Sequence, residues 1–417
     1  MYMETTLSDI ADGCKYGFVD GPFGSNLPSS CYKHKGISVI RGCNLSIGKF
    51  RYIDQGYCFV DNIVLDKLSR STARKFDIIF TKKGTIGQIG IIPKNALYNL
   101  YLLSSNQMRL RVDISKADPY FVYYYLTQKN IIKKIIRDSE STGVPKTNLA
   151  YFRSFPIKLP ALSEQQAIAH ILGTLDDKIE LNRRQNATLE AMAQAIFKDW
   201  FVDFGPVHAK MEGRQPEGMS REIADLFPDR LDDEGKPEGW EWKTLDSILE
   251  LCYGKALKAS ERIPGKTPVY GSGGITGYHN QALVITPSII VGRKGTIGSL
   301  YIEHRPFYPI DTVFYVKSDY SIFFCYFILK QQKLKDMNTD AAVPGLNRNN
   351  VYRLVFSMPS NIVIEKLDAY IQNIYKKIYH NYSEISILIS LRDTLLPKLI
   401  SGELRVPDAE KMVADIV

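Results

Sequence analysis

Residues 163–201 read SEQQAIAHILGTLDDKIELNRRQNATLEAMAQAIFKDWF, and the rest of the chain is organised around them. Apolar residues recur along this stretch with an approximate heptad period over about four heptads, a pattern typical of a long helix that packs against another helix. The seam positions, spaced by seven, are Ile168, Leu175, Asn182, Leu189 and Ile196.

The same pattern occurs a second time, 199 residues later, at Leu367, Ile374, Asn381, Leu388 and Leu395. The polar exception is repeated as well, since Asn182 maps onto Asn381, and a single Asn in an apolar seam fixes register at some cost in stability. Each helix must bury one stripe and the chain provides a matching one. We therefore predict an intramolecular antiparallel coiled coil rather than two unrelated surface helices.

The composition is that of a globular protein. The chain has 417 residues, of which 45% are hydrophobic and 24% charged, enough to bury the cores of two or three domains. The N-terminal residues MYMETTLSDIADG lack the basic and apolar segments of a signal peptide, and no apolar run approaches the length of a membrane span. We expect a cytoplasmic protein without a membrane partner.

Positive charge is concentrated in the first part of the chain. The formal net charge is +8, and residues 33–83 hold eleven Lys and Arg against four Asp. Such a concentration indicates a surface that faces the phosphates of a nucleic acid. A solvated basic face without a ligand is the alternative.

The two globular parts of the chain are also related. Both have short runs of strand-forming residues between Gly, Pro and Asn turns. Both also contain the motif Lys-Gly-Thr-Ile-Gly, at residues 83–87 and 294–298. Matching residues are 199 positions apart throughout the long helices, but the two copies differ in length ahead of the helices. Such repeats indicate a shared scaffold with divergent loops, where recognition usually resides.

No catalytic motif stands out. A phosphate-binding P-loop, a Rossmann glycine motif and the Asn/Asp-Pro-Pro-Tyr/Phe motif of amino-methyltransferases are all missing from the sequence. The six cysteines show no zinc-ligand spacing and are interpreted as reduced, mostly buried thiols. We therefore predict no catalytic residue, no metal and no cofactor.

Two short motifs have competing interpretations. Ser272, in a Gly-Ser-Gly-Gly turn, and His279 could form a nucleophile and base, but a glycine-rich turn fits better because no Gly-x-Ser-x-Gly elbow is present. The Lys-Gly-Thr-Ile-Gly motif is either a tight turn whose glycines allow positive φ, or a loop that brings Lys and backbone N–H groups to a phosphate. These two interpretations are compatible.

The fold class predicted from these patterns is α+β, with two β-rich α/β domains, a pair of long antiparallel helices and a pseudo-two-fold internal repeat. The expected segments are a first domain at 1–160, a central helical region at 161–204, a linker at 205–239, a second domain at 240–360, a distal helical region at 361–403 and a C-terminal tail at 404–417. The linker was assigned from its Gly, Pro and charged residues.

The arrangement resembles a known family. The segments LSEQQAIAHILGTLDDKIELNRRQNATLEAMAQAIFKDWFVDFGPV and LRDTLLPKLISGELRV, with Pro-Glu-Gly-Trp at 237–240, are similar to the specificity subunit of type I restriction-modification systems. The resemblance implies that each globular domain is a target recognition domain for half of a split double-stranded DNA site. It also implies that the helices set the spacer and dock two methyltransferase subunits, with ATP-dependent restriction subunits joining outside.

The residues expected to contact DNA are polar or basic and lie in turns and loops, from which side chains can reach base edges and phosphates. They are Arg41, Asn44, Lys82, Lys83, Lys146, Asn148, Ser272, His279, Arg293, Lys294, Asn347 and Arg348. The remaining alternatives are a stand-alone sequence-specific DNA-binding regulator of the same build, or a bifunctional enzyme whose active site has no familiar motif.

Overall fold

The structure is a computed structural model that describes residues 2–13, 16–139, 144–338 and 345–414. The chain divides into two compact units. Unit 1 comprises Met1–Arg183 and Tyr382–Val417, and unit 2 comprises Arg184–Asn381. Both long helices are therefore divided near their middle, and each unit contains half of each helix.

The strands of unit 1 are β1 Met3–Thr6, β2 Phe18–Asp20, β3 Ile37–Ile40, β4 Cys58–Val60, β5 Thr72–Ala73, β6 Ile78–Thr81, β7 Ile89–Ile91, β8 Tyr101–Leu103, β9 Gln107–Leu110 and β10 Pro156–Leu159. Those of unit 2 are β11 Glu241–Thr244, β12 Glu250–Tyr253, β13 Thr267–Gly271, β14 Gly274–His279, β15 Ser288–Gly292, β16 Leu300–Glu303, β17 Tyr308–Pro309, β18 Val313–Lys317 and β19 Val355–Met358. The α-helices, in chain order, are α1 Asn62–Lys67, α2 Pro119–Thr127, α3 Lys129–Arg137, α4 Leu149–Arg153, α5 Leu162–Phe201, α6 Gly205–Met211, α7 Arg221–Ala224, α8 Ile322–Gln331, α9 Arg348–Tyr352, α10 Asn361–Ser401 and α11 Val406–Ala414.

Unit 1 is built on two four-stranded sheets, in the orders β2-β9-β6-β7 and β4-β3-β8-β5, with a separate ribbon of β1 and β10. The strand β6 is buried along its whole length because it lies between two cores. Ile78 and Phe80 belong to the core shared with the helices, and Ile79 belongs to the core between the sheets. Successive side chains of a strand point to opposite faces, so a strand covered on both faces reads as a continuous apolar run.

Unit 2 repeats this plan with sheets in the orders β12-β18-β15-β16 and β14-β13-β17, and a ribbon of β11 and β19. Ile289 and Val291 of β15 face the helical core, and Ile290 faces a second core. Each unit also has an equivalent parallel pairing, of β3 with β8 in unit 1 and of β13 with β17 in unit 2. The internal repeat predicted from the sequence is confirmed.

The long helices run antiparallel in each unit. In unit 1, Asp176 of α5 pairs with Arg392 of α10. Lys178, further along α5, pairs with Glu384, which comes earlier in α10. In unit 2, Asn186 meets Asn381, and the Trp200 ring packs on Tyr370. The fold class is confirmed: two β-rich α/β units with a pair of long antiparallel helices.

The predicted seam residues lie in the cores of the two units. Ile168 and Leu175 share the unit 1 core with Leu388 and Leu395. In unit 2, Leu367 is fully buried, and Leu189, Ile196 and Ile374 pack against the same core half-buried. Asn182 and Asn381 are both buried.

Two segments assigned from composition as a linker and a tail contain helices that pack on the cores. Within 205–239, Val207 and Phe227 are buried in the unit 2 core, where Phe227 packs on Trp200 and Trp240. Within 404–417, α11 buries Ala409 and Val413 in the unit 1 core. A few apolar residues anchor each segment, and the many Gly, Pro and charged residues around them hide that signal.

Among the described residues, no helix is both long and apolar enough to cross a membrane.

Candidate nucleic-acid interface

The Lys-Gly-Thr-Ile-Gly motif forms the same tight turn in both units. It follows β6 in unit 1 and β15 in unit 2, the central strands of equivalent sheets. Gly84 and Gly87 have φ of +99° and +92°, and Gly295 and Gly298 have φ of +80° and +66°. Only glycine adopts these angles without strain. The repeated motif therefore gives the same backbone conformation in both units, and Lys83 and Lys294 are exposed on it.

Each turn is held by a short segment that precedes a small helix. In unit 1, the Gly84 N–H donates to the Pro145 carbonyl at 3.0 Å, and the Thr147 N–H donates to the Lys82 carbonyl at 2.8 Å. In unit 2, the Leu346 N–H donates to the Arg293 carbonyl at 2.8 Å. An isolated β-bridge also joins the two segments in each unit. It pairs Lys83 with Lys146 in unit 1 and, at the equivalent place, Lys294 with Gly345 in unit 2. The dipeptide Val-Pro occurs in both copies of the sequence, at residues 144–145 and 343–344, and the second of these lies outside the described residues.

An asparagine then begins the small helix in both units. The Asn148 Oδ1 accepts from the Tyr151 N–H at 2.9 Å, and the Asn347 Oδ1 accepts from the Asn349 N–H at 2.8 Å. These are N-caps, which explains why the sequence repeats Asn at both places. The turn and the cap together bring Lys82, Lys83, Lys146 and Asn148 to one surface of unit 1, and Arg293, Lys294, Asn347 and Arg348 to one surface of unit 2.

The unit 2 surface contains a cleft of about 320 Å³. Its polar lining includes Arg293, Lys294, Asn347 and Arg348 around the ring of Tyr253. The guanidinium carbons of Arg293 and Arg348 each lie 5.1 Å from the centre of the Tyr253 ring, which is within the range of a cation–π contact. Tyr253 was missed by sequence reasoning, because one tyrosine at the end of a short strand carries no pattern.

The equivalent surface of unit 1 has different chemistry. The Lys82 Nζ lies 3.2 Å from the Asp20 Oδ1, at the end of the edge strand β2. Lys83, Lys146 and Asn148 are exposed around this ion pair. The unit 1 surface therefore offers a carboxylate among its cations, whereas the cleft of unit 2 is lined by cations and amides around a tyrosine.

Ser272 and Arg41 both make hydrogen bonds that support loops. The Ser272 carbonyl accepts from the Ser299 Oγ at 2.5 Å, and its Oγ accepts from the Thr296 N–H at 3.4 Å, so it braces the turn of unit 2. Arg41 is half-buried, and its Nη2 donates to the Gly56 carbonyl at 3.3 Å.

The structure corrects the predictions for Asn44 and His279. Asn44 is fully buried, and its amide donates to the carbonyls of Ile53 and Gln55 at 3.0 and 2.8 Å. The His279 ring is also buried, and its Nδ1 accepts from the Ile263 N–H at 3.0 Å. Both side chains are buried and hydrogen-bonded to backbone groups, so neither is available to DNA in this structure.

The cysteine prediction needs a similar correction. Of the five cysteines in the described part of the chain, Cys325 is buried, Cys43 is exposed and the other three are half-buried, all as free thiols. Cys14 lies outside the described residues.

Comparisons with known proteins agree with this architecture. A family model described as "Type I restriction modification DNA specificity domain" matches residues 65–191 and 237–384. The chain is 26% identical over 419 residues to the type I restriction enzyme HindI specificity subunit of Haemophilus influenzae, covering 84% of this chain and 91% of that protein. It is 27% identical over 390 residues to the MjaIX specificity subunit of Methanocaldococcus jannaschii, covering 86% and 85%.

A solved structure has the same fold. The type I restriction-modification S subunit from M. genitalium superposes with a TM-score of 0.54 at 18% identity, with 96% of each chain covered. The two matched regions of the family model fall on the two halves of the repeat and together span more than half of the sequence. The chain therefore belongs to the family of type I restriction-modification DNA specificity proteins.

Proposed function

We propose that this chain is the DNA sequence-recognition subunit of a type I restriction-modification complex, and that each unit reads one half of a bipartite, asymmetric site on double-stranded DNA. The observation that supports this most strongly is the pair of equivalent surfaces. The same turn, bracing segment and Asn cap recur in both units, but the side chains they present differ. A shared frame with different side chains is what reading two different half-sites requires.

The partners follow from the family. We propose that the paired helices set the unread spacer and dock two methyltransferase subunits, with ATP-dependent restriction subunits completing the complex. The chain itself then binds DNA and does not catalyse methyl transfer or cleavage. Co-expression with a methyltransferase subunit should yield a complex that methylates DNA, whereas the purified chain alone should not. Methyl transfer by the lone chain would contradict the proposal.

Phosphate contacts by the cationic surfaces give a quantitative test. Each contact releases counterions, and the slope of log affinity against log salt is roughly −0.9 per phosphate neutralised. Replacing Lys83 and Lys146 together by Ala should make the slope shallower by about two and weaken binding to all sequences alike. Lys376→Ala, a change at an exposed lysine of α10, is the matched control and should leave the slope unchanged. Fluorescence anisotropy of a labelled duplex between about 50 and 200 mM salt measures both.

A further inference from the structure

The two units place different chemistry at one equivalent corner of their frames. Strand pairing defines this corner. Asp20 ends β2 opposite Met108, which also pairs with Phe80 of β6. Tyr253 ends β12 opposite Phe314, which also pairs with Val291 of β15. Asp20 and Tyr253 therefore occupy the same place in the two sheets.

Two further positions complete the corner. Lys82 and Arg293 both come directly before the lysine of the repeated turn, and Leu149 and Arg348 both come directly after the capping asparagine. The corner is thus Asp20, Lys82 and Leu149 in unit 1, and Tyr253, Arg293 and Arg348 in unit 2.

In unit 2 the corner presents hydrogen-bond donors from preorganised guanidinium groups. Arg293 and Arg348 both stack on Tyr253, Arg293 also lies 5.8 Å from the Phe314 ring, and Arg348 lies 5.7 Å from the Tyr352 ring. Each guanidinium makes one hydrogen bond to a backbone carbonyl, Asp311 at 2.6 Å and Leu251 at 3.5 Å. Neither is paired with a carboxylate within the described residues, and the buried Arg348 Nε has no hydrogen-bond partner there. The two guanidinium groups therefore carry donors that a ligand offering acceptors would satisfy.

The chemistry of the corner suits a base edge better than a backbone phosphate. In unit 1 the same corner carries the Asp20 carboxylate, paired with Lys82 at 3.2 Å. A carboxylate at a phosphate contact would be repelled, whereas a carboxylate at a base edge accepts from an exocyclic amino group. Since the frames are equivalent, a position that tolerates Asp in one unit and a pair of arginines in the other is suited to base reading.

We infer that the Arg293–Tyr253–Arg348 corner selects guanine in the half-site read by unit 2. Guanine alone presents two acceptors, N7 and O6, in the major groove, and an arginine or lysine side chain is the commonest specific contact to them. The rigid, planar guanidinium fork suits this geometry better than an ammonium group does. The inference rests on the proposed function, because it requires that unit 2 reads a half-site.

The test begins with the full-length chain and a library of randomised duplex DNA. Selection should recover a bipartite site, and Arg348→Lys should relax the requirement for one guanine in one half, because lysine lacks the planar fork, while leaving the other half unchanged. This variant keeps the charge, so a phosphate contact would survive it. A triple change, Tyr253→Asp with Arg293→Lys and Arg348→Leu, transplants the unit 1 corner and should remove the same guanine requirement. Circular dichroism and thermal melting establish that both variants are folded.

Chemical substitution of the DNA then distinguishes a base from a phosphate. Replacing that guanine by 7-deazaguanine removes the N7 acceptor and should weaken binding of the unaltered chain at least about fivefold, the lower end for a good bidentate contact, with a smaller effect on Arg348→Lys. Weakening by a neutral methylphosphonate at the adjacent linkage, with no response to 7-deazaguanine, would overturn the inference in favour of a phosphate contact. A selected bipartite site without a guanine that depends on Arg293 or Arg348 would overturn it and leave the proposed function standing. Failure to select any sequence, alone or with methyltransferase subunits, would overturn both.

Discussion

At the scale of single residues, unit 1 depends on a buried carboxylate between arginines. Asp77 is 1% exposed and accepts from the Arg111 Nε and Nη2 at 2.8 Å each, while the Nη1 of the equally buried Arg109 lies 3.6 Å away. Asp77→Asn removes the charge that balances both guanidinium groups, and breaking a buried ion pair in this way costs about 3–5 kcal/mol. We expect a marked fall in the urea midpoint of the full-length chain. Asp66→Asn, at an exposed position on α1, is the control, and equal midpoints for the two variants would contradict the expectation.

Burial should make two of the thiols differ in reactivity. Burial raises the pKa of Cys325 to about 11, and its side chain is fully buried. At pH 8 this thiol stays protonated and out of reach, whereas Cys43 is exposed and the thiolate is the reactive form. Iodoacetamide at pH 8 should modify Cys43 in the folded chain and Cys325 only in denaturant, as read by peptide mass spectrometry. Comparable rates at both cysteines in the folded chain would contradict this.

At the scale of elements, a polar pair lies inside the helix seam of unit 2. The Asn381 Nδ2 donates to the Asn186 Oδ1 at 2.8 Å, and the Asn186 Nδ2 donates to the Ile378 carbonyl at 3.3 Å. Asn381→Leu alone leaves the buried Asn186 without its donor, which should lower the free energy of unfolding by about 1–3 kcal/mol. Adding Asn186→Leu should recover most of that loss, since replacing both partners by apolar groups is nearly neutral. A double-mutant cycle in urea measures the coupling, and additive effects would show that the two residues act independently.

The seam and the Asn pair also show how far sequence reasoning reaches. A heptad repeat in two copies predicts both helices and their pairing, because helical periodicity is visible in any window of the chain. The partner of Asn381 was not predicted, because it depends on the antiparallel register, which places Asn186 rather than Asn182 opposite it.

Tyr253 was missed for a related reason. The copies differ in length ahead of the repeated turn, so the equivalence of Asp20 and Tyr253 appears only in the strand pairing. Asn44 and His279 were predicted as contacts because a polar residue near a turn looks the same in sequence whether it faces solvent or is buried against the backbone.

At the scale of the whole molecule, the repeat predicts that half of the chain can complete itself. A fragment ending near Gly213 contains the β-rich part of unit 1 and all of α5, but it lacks the α10 residues Leu388 and Leu395 that share a core with Ile168 and Leu175. The α5 helix of a second copy carries the same stripe, so we expect the fragment to form an isologous antiparallel dimer. Sedimentation should show a dimer, and Leu175→Asp should return it to a monomer.

The structure sharpens what this dimer should look like. Since Asn381 bonds to Asn186, and Asn182 is the repeat equivalent of Asn381, Asn182 of one copy should meet Asn186 of the other, twice across the two-fold axis. Asn186→Leu should therefore disturb the fragment dimer at both places at once, whereas Met192→Leu, at an exposed position of α5, should not. Such a dimer presents the unit 1 surface twice. With methyltransferase subunits added, it should modify an interrupted palindrome made from the first half-site alone, without the guanine assigned to unit 2. A monomeric fragment, or one that still modifies the asymmetric site of the full chain, would show that the two helices are not interchangeable.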